Sequence, residues 1–378
     1  MSSDALPTYL LLALRGLEFL AEREIRAKLK CAFIHVALEM FRWLLWPSLM
    51  NGSPQVEYLE ICSVENDPKR PHVNVMQGEA AVGRILLRTW SSPAEVMLLQ
   101  SVQAVLAFLV KSDDVVTDAM EGVIQIGYKS VDVAGVLGER VIEKFDWPVS
   151  LTNFDMEIVC ILFQDSMITG ISLADPAKIK FKSRLANEDR SALGVDVDYV
   201  STLRPSTTFL MFQLAEYQLG EIFLDSMCGV GTIPVCCSAF SHNEVFALGG
   251  ELDDLPVQKA GQNAAARARH VGISQWDSTR LPLRSGTIDK VMIDMPFGVR
   301  CGNHRLNNKM YPKIMKELLR VLRVGGRAVL LIIAKNLFLS SIQHLLLLQV
   351  VQEYEVNIGG LRGVIFILEK QESTTCDT

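Results

Sequence analysis

A carboxylate, a proline and an aromatic ring stand in line at Asp294-Met-Pro-Phe297, directly after the apolar run Val291-Met-Ile293. The Asp294 carboxylate and the Met295 main-chain carbonyl can both accept hydrogen bonds from an exocyclic amine. Pro296 stiffens the turn, and Phe297 offers a ring face to a base. Such a set suits methyl transfer to an amine. The amine must be held in line with the methyl donor. Its nitrogen gains positive charge as it attacks, so a nearby carboxylate helps most in the transition state. Three more acids follow apolar or strand-like runs: Asp225 after Ile222-Phe-Leu224, Glu251 after Val245-Phe-Ala-Leu, and Asp277 after Ser274-Gln-Trp. Ligands of open α/β sheets bind outside the carboxyl ends of the strands. All four acids are therefore predicted on one rim.

The elements that must position these groups are legible around the first acid. Ile222 to Leu224 reads as a buried parallel strand closed by Asp225. Gly229 and Gly231 let the chain turn sharply and let a ligand approach the backbone. Thr232 opens a helix in which Pro234 is tolerable, being in the first turn. Strand, glycine turn and helix form the nucleotide corner of a doubly wound sheet. An acid ending the second strand, Glu251, suits the two hydroxyls of a ribose. The third glycine of G-x-G-x-x-G is missing, and Asp-x-Pro-Phe has no role in hydride transfer, which weighs against a nicotinamide oxidoreductase.

Five stretches carry a family resemblance: Asp225-Ser-Met-Cys-Gly-Val-Gly-Thr232, Gln275 to Gly286, Ile293-Asp-Met-Pro-Phe-Gly298, Tyr311-Pro312 and Asn357-Ile-Gly-Gly-Leu-Arg-Gly363. Together they resemble the THUMP-domain RNA guanine-N2 methyltransferases, best over Leu203 to Glu369. The resemblance implies S-adenosylmethionine as methyl donor. It places Asp225 and the loop of Cys228, Gly229, Gly231 and Thr232 at the donor's amino-acid end. Glu251 falls on the ribose, Asp277 with Ser278 near the adenine amine, and Asp294, Pro296 and Phe297 at the target base. It further implies N2-methylation of a tRNA guanosine near position six. A small zinc-binding activator subunit as heterodimer partner is implied too. Ser226 departs from the family, which usually carries proline there.

The implied fold is α/β: a Rossmann-like S-adenosylmethionine-dependent methyltransferase domain preceded by a ferredoxin-like/THUMP α+β region. The expected division is 1–95 ferredoxin-like, 96–186 THUMP-like and shortened, 187–202 linker, 203–370 Rossmann-like, and 371–378 a disordered polar tail. In the first part, a strand beginning near Tyr9 leads through Arg15-Gly-Leu-Glu18 into a helix with Ala21, Ile25 and Leu29 on one apolar face. Asn66 to Pro71 reads as a surface turn, and Ala94 to Val110 as helical. A helix over Ser130 to Trp147 precedes strands over Thr152 to Phe163 and Met167 to Leu173. The first THUMP strand is not evident near Val123 to Tyr128. Strands over Gly326 to Ala334, Val351 to Asn357 and Val364 to Leu368, with a helix over Leu337 to Leu348, complete the chain.

Composition narrows the class. Hydrophobic residues make up 49% of the 378, which suits a globular chain. No run approaches the ~20 apolar residues of a membrane span, and no secretory leader is evident. The eight cysteines include no C-x-x-C pair, so reduced thiols in the cytoplasm or nucleus are expected and no zinc site in this chain. A net charge of -6 argues against a general polyanion binder but permits a local basic surface. Lys178, Lys180, Lys182 and Arg184 alternate, so an extended segment puts them on one side. Phosphate contact and a solvated edge strand both explain that pattern. Arg300, Arg305 and Lys309 begin a second basic run reaching Arg327, with Glu317 its one acid. Because it starts beside Asp-Met-Pro-Phe, RNA contact is the favoured reading. Two alternatives keep the same residues: an adenine-N6 methyltransferase, and an RNA- or activator-binding variant that does not turn over.

Overall fold

The computed structural model describes residues 7–29, 31–36, 63–66, 74–77, 83–89, 91–112, 130–150, 154–163, 166–173, 203–267, 270–296, 304–358 and 361–373. The N-terminal elements are β1 (Thr8–Ala13), α1 (Glu18–Lys28), β2 (Cys31–Val36), β3 (Ser63–Asn66), β4 (Asn74–Gln77), β5 (Arg84–Thr89), α2 (Pro93–Met97), β6 (Val102–Ser112), α3 (Ser130–Phe145), β7 (Ile158–Phe163) and β8 (Ser166–Ser172). Then come α4 (Pro205–Leu214), β9 (Ile222–Asp225), α5 (Thr232–Phe240), β10 (Phe246–Glu251), α6 (Asp254–Arg267), β11 (Val271–Gln275) and β12 (Ile288–Asp294). The last are α7 (His304–Val321), β13 (Leu322–Ile332), α8 (Lys335–Ile342), β14 (Leu348–Ile358) and β15 (Leu361–Lys370).

Among the described residues the strands form two sheets. One has six strands in the order β2-β5-β1-β6-β8-β7, and the other nine in the order β11-β10-β9-β12-β13-β15-β14-β4-β3. In the second, β9 pairs in parallel with β10 on one side and β12 on the other. The chain thus runs outward from β9 to β11 and then returns across it to β12. That reversal is a topological switch point, where a crevice opens outside the strand ends. Asp225 ends β9 and Asp294 ends β12, so the crevice is flanked by two carboxylates.

Burial explains why these strands are near-continuous apolar runs. Val291, Met292 and Ile293 are all fully buried, as are Val329 and Leu330, because helices and other segments cover both sheet faces. One apolar cluster joins β12 and β13 to α7 and α8 through Tyr311, Ile314, Leu318 and Phe338. The other joins the opposite face to α4, α5 and the segment Leu14–Leu20. Ala21, Ile25 and Leu29 are buried, on the apolar face expected of α1. Strands from both sides of residue 95 share the six-stranded sheet, since β6 pairs with β1. Meanwhile β4 pairs in parallel with β14 of the other sheet.

Three expectations about elements need correction. Residues 94–110 are not one helix: Ser92 and Glu95 form a capping box on the short α2, and β6 follows. Val102, Ala104, Val105 and Leu106 are all buried, because β6 lies between β1 and β8. A strand apolar on both faces cannot be told from a helix by periodicity. Secondly, α8 stops at Ile342 and Leu348 opens β14. Thirdly, β13 starts at Leu322 rather than Gly326, so Arg323 is a strand residue along with Arg327.

Candidate active site

The glycine loop is held from two directions, by α6 and by β10. Gly229 (φ +53°) and Gly231 (φ +83°) both take the left-handed backbone that favours glycine. A Cβ on Gly231 would sit 3.1 Å from the Ala260 Cβ, so the loop lies tight on α6. Asn263 of α6 donates its Nδ2–H to the Val230 carbonyl at 2.8 Å. The Cys228 N–H donates to the Gly250 carbonyl of β10 at 2.8 Å. A Cβ on Gly229, by contrast, would meet nothing within 4 Å, so the loop's outer side is open.

The acids close around that loop. Asp225 is buried, and its Oδ1 accepts the Met227 N–H at 3.0 Å. Burial pushes its pKa well above the carboxylate range; the Met227 N–H opposes this, and the charges of Asp294 and Glu251 add to it. Glu251 takes the Gly229 N–H on Oε2 at 3.0 Å and the Leu252 N–H on Oε1 at 2.7 Å. Cys228 and Thr232 are buried beside them, and burial raises the Cys228 thiol. Asp277 caps its own exposed turn, accepting the Thr279 N–H at 2.8 Å, while Ser278 is buried.

Asp294 differs from the rest. Its Oδ1 is enclosed and has no hydrogen-bond partner among the described residues. Burial pushes its pKa up to about 7. The turn that follows is pinned at both ends. The Met295 N–H donates to the Leu331 carbonyl at 3.0 Å, and the Tyr311 hydroxyl donates to the Pro296 carbonyl at 2.9 Å. Tyr311 is fully buried; burial and the charge of Asp294 both raise its pKa. The result is a preorganised acceptor with one buried lone-pair group waiting for a donor.

Sequence reasoning gave no role to Tyr311, Trp276 or Gly250. Trp276 is buried, and its Nε1–H donates to the Ser226 carbonyl at 3.2 Å, tying the turn after β11 to the glycine loop. The ring packs against Gly250, where a Cβ would fall 1.6 Å from Trp276 Cε2. The adjacent Gly-Gly and Trp were visible in the chain, but their contact was not. Ser226, the departure from the family pattern, has a buried hydroxyl without a partner among the described residues.

The basic residues divide. Lys178, Lys180, Lys182, Arg184, Arg300 and Phe297 lie outside the described residues. Arg305 lies on α7, and Lys309 is exposed on the same helix with Lys313 and Lys316. The far end of the run serves the fold instead. Arg320 pairs with Glu317 at 2.7 Å, Arg323 with Glu221 at 3.0 Å and Asp289 at 2.5 Å, and Arg327 with Glu216 and Glu369, both at 2.8 Å.

Residues 196–363 match the model of the RMKL-like methyltransferase domain, UPF0020. That match spans 168 of the 378 residues. Over 260 residues the chain is 31% identical to the tRNA (guanine(6)-N(2))-methyltransferase THUMP3 of Bos taurus, covering 64% of this chain and 48% of that protein. It is 32% identical over 201 residues to the U6 snRNA (guanine-N(2))-methyltransferase THUMPD2 of Mus musculus, covering 52% of this chain and 34% of that protein. The chain therefore spans about half or less of the length of these curated relatives. TrmN from Thermus thermophilus has the same fold, with TM-score 0.65 and 17% identity over 96% of this chain and 99% of that chain. Within residues 196–363, the switch-point crevice gathers Asp225, Glu251 and Asp294. The open side of Gly229 and the Asp294 Oδ1, without a partner among the described residues, suit a ligand that brings hydroxyl, ammonium or amine hydrogens.

Proposed function

We propose that this chain transfers a methyl group from S-adenosylmethionine to the exocyclic N2 of a guanosine in structured RNA, with tRNA as substrate and a position near six as target. The observation that carries the reading is the Asp294 Oδ1: buried, without a partner among the described residues, and on a turn pinned by Leu331 and Tyr311. An exocyclic N–H supplies the donor this atom lacks. The chain's own contribution is positioning. Asp294 and the Met295 carbonyl would accept the two amine hydrogens and aim the nitrogen lone pair. As the nitrogen becomes positive, the ionised Asp294 stabilises it and can take up the released proton. Phe297 keeps its expected role as the stacking face for a base drawn out of its helix.

S-adenosylmethionine, when bound, supplies an electrophilic methyl on a sulfonium centre. Asp225 and the loop of Cys228, Gly229, Gly231 and Thr232 would hold its amino-acid end, Glu251 its ribose, and Asp277 with Ser278 its adenine. Lys309, with Arg300 and Arg305 and the segment Lys178 to Arg184, would carry phosphate contacts. A small zinc-binding activator subunit as partner and a cytoplasmic location complete the reading. Among the described residues no helix is long and apolar enough to cross a membrane.

The test is transfer from labelled S-adenosylmethionine to total tRNA, with small nuclear RNA beside it because one relative is named for U6 snRNA. Reactions run with and without the activator, for the native chain and Asp294→Ala, followed by nucleoside analysis. N2-methylguanosine that disappears with Asp294→Ala is the expected result. N6-methyladenosine would move the chain to the adenine class. A chain that binds the donor but yields no product would be a binding protein.

A further inference from the structure

The two carboxylates that flank the switch-point crevice stand on one face of the sheet. β9 and β12 run in parallel, with Phe223 level with Lys290 and Leu224 level with Val291. The same register puts Asp225 level with Met292, and Asp294 lies two residues further along. Successive side chains of a strand alternate faces, so Asp225, Met292 and Asp294 project to the same side. Met292 lies in the buried cluster that joins that side to α4 and α5, and so does Leu331, the partner of Asp294 on β13. One strand spacing across and two residues along set the Cα atoms of the two acids about 8 Å apart.

No cation answers this pair among the described residues. Asp225 is buried and the Asp294 Oδ1 is enclosed, yet the one hydrogen bond given to either comes from the Met227 N–H to the Asp225 Oδ1. The ionisable groups that face the pair are Glu251 of β10, Cys228 of the glycine loop, Cys237 of α5 and Tyr311 of α7. Each is neutral or negative, and α4 carries no ionisable side chain in Pro205–Leu214. Burial raises the pKa of both acids, and the charges of Asp294 and Glu251 raise that of Asp225 further. Like charges this close in an enclosed space resist ionising together, so the pair retains a proton. Both members ionise only when positive charge is brought to them. A sulfonium methyl donor brings two positive groups, the ammonium of its amino-acid end and the sulfonium itself. The sulfide left after transfer keeps only the ammonium.

Resting on the methyl-transfer reading above, we propose that Asp225 and Asp294 work as one acidic pair that distinguishes the charged donor from its sulfide product, giving up a proton when the donor binds and regaining one when the methyl leaves. The balance closes within the site. As the amine nitrogen forms its bond to the methyl carbon, sulfur keeps the electron pair of the broken C–S bond and the N–H proton passes to Asp294. The pair is then protonated again, beside a neutral sulfur. The attraction that held the donor is lost, which favours product release, and the next donor expels the proton once more.

The experiment reads binding alone and needs no RNA. S-adenosylmethionine, S-adenosylhomocysteine and sinefungin are titrated into the full-length chain by calorimetry between pH 5 and pH 8, in buffers of different ionisation enthalpy that count the protons released. Sinefungin carries an amine where the donor carries its sulfonium, so it has the charge and no methyl to transfer. The three share their amino-acid groups, whose own titration cancels in the comparison. S-adenosylmethionine and sinefungin are expected to release more protons than S-adenosylhomocysteine below pH 7. Their Kd should fall by up to about tenfold per pH unit there and level off above, while that of S-adenosylhomocysteine changes less than roughly threefold over the whole range. Asp294→Asn should remove most of the difference; if that variant does not fold, the three ligands on the native chain decide. Equal proton release and a constant affinity ratio overturn the proposal and leave donor binding standing. Sinefungin that follows S-adenosylhomocysteine overturns it as well, since the methyl and not the charge would then be read. A difference kept in full by Asp294→Asn places the proton outside the pair and does the same. A chain that binds none of the three defeats the donor reading together with the proposal. Expected proton release from a chain that methylates no RNA upholds the pair and defeats the RNA reading alone.

Discussion

At the scale of single residues, Asp294 joins a proton equilibrium to the proposed chemistry. Burial lifts its pKa to about 7, so near neutrality the carboxylate form grows as pH rises. Methyl transfer per encounter (kcat/KM) is expected to climb through pH 7 and level off above it. Asp294→Asn keeps an acceptor oxygen but loses the charge. It should lower the plateau on the order of 100-fold and flatten the climb; a variant that keeps the native profile would assign the titration elsewhere. Stability runs the opposite way. A carboxyl whose folded pKa lies above its unfolded value near 3.9 favours the folded state below that value, and the benefit is lost as pH rises through about 7. Asp225 shifts in the same direction, in part through the charge of Asp294, so the difference in melting temperature between the native chain and Asp294→Asn reads Asp294 together with its effect on Asp225: it should grow in favour of Asn from pH 5 to pH 8. Tyr311 carries a second expectation. Tyr311→Phe frees the Pro296 carbonyl without opening a cavity. Steady-state kinetics should show kcat lowered roughly 10- to 100-fold with the KM for S-adenosylmethionine unchanged.

At the scale of elements, β10 is built to receive its neighbours. Gly249 admits Ile273, Cys228 and Pro234, and Gly250 admits the Trp276 ring. Gly250→Ala must expel that ring and break its hydrogen bond to Ser226. Donor affinity should fall at least roughly tenfold, and stability by about 1–3 kcal/mol. Calorimetry and Trp fluorescence would read both, and an unchanged Trp signal would contradict the placement of the ring. On α7, Lys309, Lys313 and Lys316 share one exposed stripe at helical spacing. Replacing all three with Gln should weaken RNA binding and shrink the salt dependence of log Kd by up to about 2. Arg323→Gln, which breaks the pairs to Glu221 and Asp289, should lower the melting temperature and leave the salt dependence alone. This contrast marks what was legible in the chain. The corner at Asp225, the strand before Asp294 and the closing hairpin follow from local order: an apolar run, an acid, then glycine or proline. Tyr311 under Pro296, Trp276 on Gly250 and the inward-turned arginines depend on partners 15 to 102 residues away, and no local pattern encodes those distances. Strand β6 was hidden for another reason: burial on both faces erases its period.

At the scale of the molecule, the packing joins the N-terminal segment to the C-terminal sheet. Leu14, Leu17 and Leu20 belong to the same buried cluster as α4, α5 and the face of β14 and β15. If the portion from residue 196 onward stood alone, Leu203, Phe209, Tyr354 and Val356 would lose that cover and expose a contiguous apolar face. Two behaviours follow. The whole chain should unfold in one calorimetric transition, with calorimetric and van't Hoff enthalpies in agreement, even though it exceeds the size at which independent domains are usual. The isolated fragment should melt lower and aggregate on heating. Gly16→Ala should sit between these limits, since a Cβ there would lie 1.9 Å from the Glu355 carbonyl oxygen and so forces β14 and the Arg15–Leu17 segment apart while leaving both sheets their own hydrogen bonds. Its expected signature is a split or broadened transition. A fragment as stable as the whole chain, or a native chain that unfolds in two separate steps, would mean that the shared cluster contributes little.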